Sequence, residues 1–204
     1  LALLSMEQGV DCIRINPGNI KNKDNVREIV LMAKDKKIPI RIGLNSGSVE
    51  RKENSTIVDD MVSSAVEYID FFEKLSFKDI VISLKASNVL DTIGAYRKMA
   101  GLCEYPFHIG ITSAGDFFNG AIRSSVGLGS LLLEGIGDTI RVSLTSDPVK
   151  EIGVAYEILS VLGLRKKKGY EIISCPTCGR CSVDLIKIID KIKSKLKDTD
   201  TSLK

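Results

Sequence analysis

Apolar residues cluster into five short runs, at positions 11–16, 38–45, 79–85, 107–112 and 139–144, rich in Ile and Val and bounded by Gly, Pro, Asn or Ser. Runs of that length and composition predict β-strands. Between them, segments 24–36, 50–75, 89–101, 121–135 and 148–162 carry apolar residues at helical spacing. Strand starts about 27 to 41 residues apart leave room for a helix after each strand, which predicts an α/β fold on a parallel sheet. Asp147-Pro148 supplies an N-cap followed by a first helical residue, and Gly101, Gly135 and Gly163 stand where helices should stop.

The residues that end each strand carry the chemistry. They read RINPGN, RIGLNSGS, SLKAS, GITSAGD and RVSLTSD. In a parallel α/β fold the carboxyl ends of the strands and their loops form the site. Arg14, Asn16, Arg41, Asn45, Lys85, Thr112, Arg141 and Ser143 are therefore expected on one rim. Alternation puts Arg14 with Asn16, Arg41 with Asn45, and Arg141 with Ser143 on shared faces. Four cations in one mouth repel one another when nothing is bound, and suit a polyanion such as a diphosphate gripped by guanidinium groups. The alternative is that each cation pairs with an acidic neighbour or points into solvent.

Composition narrows the classes. With 204 residues, 44% of them hydrophobic, the chain can build one main domain and an appendage. A net charge of +3 gives no nucleic-acid footprint, and no apolar run is long enough to span a bilayer. Five cysteines, three of them clustered, do not form a secreted disulfide framework, so a reducing, cytoplasmic setting is expected. The opening LALLSMEQGVDCIRIN starts inside a helical pattern without an initiator Met, and reads as a chain truncated at its front.

Beyond Gly163 the character changes. Arg165 to Lys168 read as a solvated linker and 170–173 as a short strand. From Ser182 a helix places Leu185, Ile186, Ile189, Ile192 and Leu196 on one face with lysines opposite, as in a docked helix or a membrane-contacting one. Between these lies ISCPTCGRC, with Cys175, Cys178 and Cys181 within seven positions. A C-P-T-C turn presents two thiols to one centre, as zinc knuckles, iron–sulfur sites and dithiol oxidoreductases all do. No second C-x-x-C exists, so the site is either three-ligand, closed by Cys181, or unfinished. Cys12 and Cys103, in apolar surroundings, read as core thiols.

The stretches RINPGNI, RIGLNSGS, VISLKAS, HIGITSAG, GAIRSSVGLGSLLLEGIGDTIRVSLTSDPVKEI and CPTCGR together resemble the 4-hydroxy-3-methylbut-2-enyl diphosphate synthase family, over nearly the whole chain and in order. The resemblance implies a TIM-type barrel followed by a small α+β iron–sulfur domain. The five runs become barrel strands four to eight, with residues 1–164 a partial barrel and 165–204 the start of the cluster domain. It implies that Arg14, Asn16, Arg41, Asn45, Lys85, Arg141 and Ser143 contact a cyclic diphosphate, with Thr112 beside them. The implied reaction is two-electron reductive opening of 2-C-methyl-D-erythritol 2,4-cyclodiphosphate with loss of water. A [4Fe–4S] cluster fed by ferredoxin or flavodoxin would supply the electrons. Cys175 and Cys178 are the implied cluster ligands in this chain, a third Cys and a Glu lying farther on. Cys181 matches no family ligand and is either a substitute ligand or a bystander.

Two departures stand out. The family's T-E-A-G is Thr112-Ser113-Ala114-Gly115 here, which removes a candidate acid–base Glu and leaves Asp116 as the substitute. His108, the one histidine, is expected to be structural and away from the mouth. A homodimer is implied as well. The alternatives are a paralogue that binds a diphosphate metabolite without the chemistry, and a zinc-stabilised sugar-phosphate enzyme.

Overall fold

Among the described residues five strands form, all parallel and in chain order. In the computed structural model, which describes residues 1–20, 22–166 and 170–196, β1 (Ile13–Ile15), β2 (Ile40–Asn45) and β3 (Ile80–Lys85) make one sheet, and β4 (His108–Gly110) pairs with β5 (Thr139–Arg141). A single bridge, Ile82 to Phe107, carries the sheet from β3 to β4. The Tyr96 hydroxyl reinforces this thin joint. It accepts from the Leu84 amide at 2.8 Å and donates to the His108 carbonyl at 2.7 Å, tying the two strands together.

Alternation decides where the core lies. Ile40, Ile42 and Leu44 of β2 and Ile82 and Leu84 of β3 are fully buried. They pack towards the helices that follow the strands: α2 (Lys23–Lys36), α3 (Ile57–Lys74), α4 (Val89–Ala100) and α5 (Phe117–Leu133). Those helices answer with Val26, Val30, Ala33, Met61, Ala65, Phe72, Ala95, Met99, Leu128 and Leu131, each essentially inaccessible. Burial of each large aliphatic side chain stabilises by roughly 1.5–3 kcal/mol, so the helix–sheet layer dominates cohesion. The other face of the strands carries Arg41, Gly43 and Asn45 on β2, Ser83 and Lys85 on β3, and His108 and Gly110 on β4. That face is polar and points away from the helices.

Several boundaries depart from expectation for local reasons. α3 starts at Ile57 rather than 50, because Thr56 accepts from the Asp59 amide and fixes the helix start there. α5 starts at Phe117 rather than 121, because Asp116 caps an additional turn. β1, β4 and β5 are three residues each, shorter than their apolar runs; β1 and β5 have a neighbour on one side only. Cys12 is exposed, not a core thiol, since Ile13 and Ile15 take the buried parity of β1.

The chain divides into two units, Leu1–Ile158 and Leu159–Lys204. The first also holds α1 (Ala2–Glu7) and most of α6 (Pro148–Val161). In the second, residues 170–173 form no strand, having no partner strand among the described residues. A helix, α7 (Leu185–Lys195), follows, with Asp184 as its N-cap. Lys167 and Lys168 of the expected linker lie outside the described residues. Among the described residues no helix is long and apolar enough to cross a membrane.

Candidate anion-binding site

A cavity of about 250 Å³ opens at the carboxyl ends of the strands, lined by Arg14, Arg41, Asn45, Ser83, Lys85, Thr112, Arg141 and Ser143. Seven of the eight residues expected there from the sequence converge on it. Asn16 is the exception. Its Nδ2 donates to Ser48 Oγ at 2.9 Å, and that hydroxyl in turn donates to the Asn45 carbonyl at 2.9 Å. Asn16 thus braces the loop that follows Asn45, and does not line the cavity. Ser83 was missed as a lining residue, although it stands two before Lys85 and so shares its face.

Small residues make room for the long cations. Arg14 Nη2 donates to the Gly43 carbonyl at 2.8 Å, with the guanidinium lying where a Gly43 side chain would be. Lys85 Nζ lies 3.3 Å from the place a Cβ would take on Gly110. Gly43 therefore makes room for a cation, while Gly110 makes room first for the Arg141 carbonyl, 2.8 Å from where its Cβ would be, and then for Lys85.

Charge in the cavity is not compensated. Elsewhere bases find acids: Arg51 with Asp60 at 3.0 Å, Lys52 with Glu67 at 3.5 Å, and Arg97 with Glu134 at 2.5 Å. Among the described residues no carboxylate pairs with Arg14, Arg41, Lys85 or Arg141. Burial, then the charges of Arg141, Arg41 and Arg14, pull the Lys85 ammonium down to about 8. Burial and Arg41 also lower the Arg14 guanidinium from its ordinary value. Such depressed values mark a site that stabilises incoming negative charge.

His108 belongs to this environment, contrary to its expected distance from the mouth. Burial, then Lys85, Arg41 and Arg141, push its imidazole down to about 4, so it is neutral at physiological pH. Nδ1 lies 2.9 Å from Thr139 Oγ1, while the buried Nε2 has no partner. Its nearness to the cations was not visible in sequence because it follows from register, not spacing.

Ser113 adopts a left-handed backbone (φ 52°) and is exposed. Asp116 caps α5, accepting from the amides of Phe118 at 2.9 Å and Asn119 at 3.2 Å and from Asn119 Nδ2 at 2.7 Å. These bonds hold its carboxyl below the ordinary carboxylate range, so it stays ionised at neutral pH. A larger cavity of about 610 Å³ lies against α3, but there three carboxylates, Glu50, Asp60 and Glu67, outnumber two lysines, Lys23 and Lys52, so it does not suit a polyanion.

Cys175, Cys178 and Cys181 are free and exposed. The Cys181 amide donates to the Cys178 carbonyl at 2.9 Å, closing a turn, while its thiol faces the Val183 carbonyl at 3.3 Å. Thiols are the right donors for iron–sulfur or zinc. Among the described residues, however, no three ligating side chains gather as a metal-holding group. The donor set on this chain fits part of a cluster site, not a closed one.

A parallel α/β domain with a cationic cavity at its strand ends, unpaired with any carboxylate among the described residues, has the architecture of the barrel class. The chain belongs to the family described as the GcpE TIM-barrel domain, which matches residues 1–156. Curated relatives named 4-hydroxy-3-methylbut-2-en-1-yl diphosphate synthase (flavodoxin) are similar throughout. The protein of Thermodesulfovibrio yellowstonii is 52% identical over 208 residues, covering 100% of this chain and 59% of its own length. Those of Fusobacterium nucleatum and Clostridium acetobutylicum are each 50% identical, with 58% and 59% of their lengths covered. The chain thus spans less than two thirds of the length of these relatives.

Proposed function

We propose that this chain carries the diphosphate-binding part of a 4-hydroxy-3-methylbut-2-enyl diphosphate synthase. In this reading the cyclodiphosphate of 2-C-methyl-D-erythritol is opened reductively, two electrons and two protons entering and one water leaving. The observation that carries it is the cavity bounded by Arg14, Arg41, Lys85 and Arg141, with no carboxylate partner among the described residues. The guanidinium groups grip the phosphates in bidentate fashion, and Lys85 adds a point charge at the cavity floor. Asn45, Thr112 and Ser143 supply hydrogen bonds to phosphate and hydroxyl oxygens, and Asn16 acts through Ser48 and the Asn45 loop. Binding energy from the phosphates holds the substrate, and the fixed cations stabilise negative charge as the ring C–O bond breaks.

The five strands correspond in this proposal to barrel strands four to eight, and the unit from Leu159 begins an iron–sulfur domain. Cys175 and Cys178 are two ligands of a [4Fe–4S] cluster, which supplies low-potential electrons when bound. Flavodoxin is the donor, in keeping with the printed names of the relatives. The proposal includes a homodimer.

Anaerobic reconstitution with iron and sulfide of a complete synthase of the family that carries this segment, followed by turnover of the cyclodiphosphate with reduced flavodoxin, tests this reading; the segment by itself is not expected to turn over. A brown protein that forms the linear diphosphate is expected. Zinc at one per chain with no iron uptake, or no affinity for the cyclodiphosphate, overturns it.

A further inference from the structure

Lys85 and His108 are complementary groups left unjoined. The Ile82–Phe107 bridge sets Ser83 beside His108 and Lys85 beside Gly110 along the parallel strands. His108 and Gly110 are two apart and share the polar face. Lys85 Nζ stands over Gly110, 3.3 Å from where its Cβ would be, one step above His108. His108 is 9% exposed, and its buried Nε2 has no partner.

The charged groups that face Lys85 are Arg14 on β1, Arg41 on β2 and Arg141 on β5, and none of them can accept a hydrogen bond. The imidazole on β4 can. Surrounding cations favour a lone pair at Nε2, which puts the ring proton on Nδ1, donated to Thr139 Oγ1 at 2.9 Å.

We infer that His108 is a positioning residue of the anion cavity: its neutral imidazole accepts, through Nε2, a hydrogen bond from the Lys85 ammonium and fixes that charge beneath the bound anion. The inference rests on the reading of the cavity as a diphosphate site. An acceptor of this kind favours the charged ammonium and opposes the burial and neighbouring cations that drain it. Its loss lets Lys85 shed its proton at lower pH.

The test is calorimetric titration of the full chain with inorganic pyrophosphate, from about pH 6.5 to about pH 9.5, for the parent, H108L and H108Q. The alkaline fall in affinity should move down by about one pH unit in H108L. It should return towards the parent in H108Q, whose amide oxygen can accept. At pH 6.5, where the ammonium is charged throughout, the deficit of H108L should be at its smallest. An unmoved alkaline limb in folded H108L overturns the role of His108 while leaving the cavity reading intact. Absence of pyrophosphate binding by the parent overturns both. Should H108L fail to fold, the ¹⁵N spectrum of the parent imidazole decides: an Nδ1–H tautomer is expected, and an Nε2–H tautomer overturns the inference.

Discussion

The Arg14 guanidinium lies across the face of Gly43, donating to its carbonyl at 2.8 Å and filling the space where a side chain would stand. A methyl group at position 43 has to displace the guanidinium, which is the mobile end of a flexible side chain. Gly43→Ala should therefore cost little stability, within about 1 kcal/mol of the parent. It should weaken pyrophosphate binding by about tenfold through the lost bidentate geometry. Thermal melting and calorimetry on the same sample read the two effects separately, and unchanged affinity would refute the positioning role of this glycine.

Lys85 predicts two opposite pH slopes. Its ammonium is held near 8, against an ordinary value of 10.5. As pH rises through about 8 the cavity loses a positive charge, so affinity for pyrophosphate should fall. Over the same window the folded chain binds fewer protons than the unfolded chain, so this group makes stability rise with pH. Lys85→Met should flatten both slopes relative to the parent. A parent affinity that is constant from about pH 7 to pH 9.5 contradicts the assignment.

His108 governs the acid side. Its folded value is near 4 and its ordinary value 6.5. Unfolded chains therefore take up a proton as pH drops through 6.5, while the folded chain does not until about 4. Stability should decline across that window and not beyond it, from this group. Denaturant titrations of the parent against H108Q check the point: the variant should show a shallower decline.

Asp116 separates capping from chemistry. Asp116→Ala removes an acceptor for two amides and should cost about 1 kcal/mol of stability. Asp116→Asn keeps the cap and should keep most of that stability. Turnover by a complete synthase of the family carrying this segment with Asp116→Asn should stay within about threefold of its parent. A loss of about a hundredfold or more would make this carboxylate the proton donor instead.

Much of this was legible in the chain itself. β2 and β3 were readable because their apolar runs are long and sit between neighbours on both sides. The cations were readable because alternation places Arg41 with Asn45 and Arg141 with Ser143 on one face. Asn16 has the expected spacing, but its Nδ2 donates to Ser48, a bond between residues 32 apart that spacing alone does not reveal. Residues 170–173 have strand composition without a strand to pair with, and composition alone does not supply a partner. The neighbourhood of His108 depends on how β3 and β4 align, which a single bridge and the Tyr96 hydroxyl decide.

Because the helices take up the greasy side of β2, β3 and β4, the polar surface opposite is released from the duty of holding the molecule together. Residues there can be exchanged one at a time for other guests, a sulfate ester or a sugar acid, without rebuilding the shell around them. The architecture thus separates scaffold from specificity, and offers a protein engineer a lumen that can be rewritten on an intact frame.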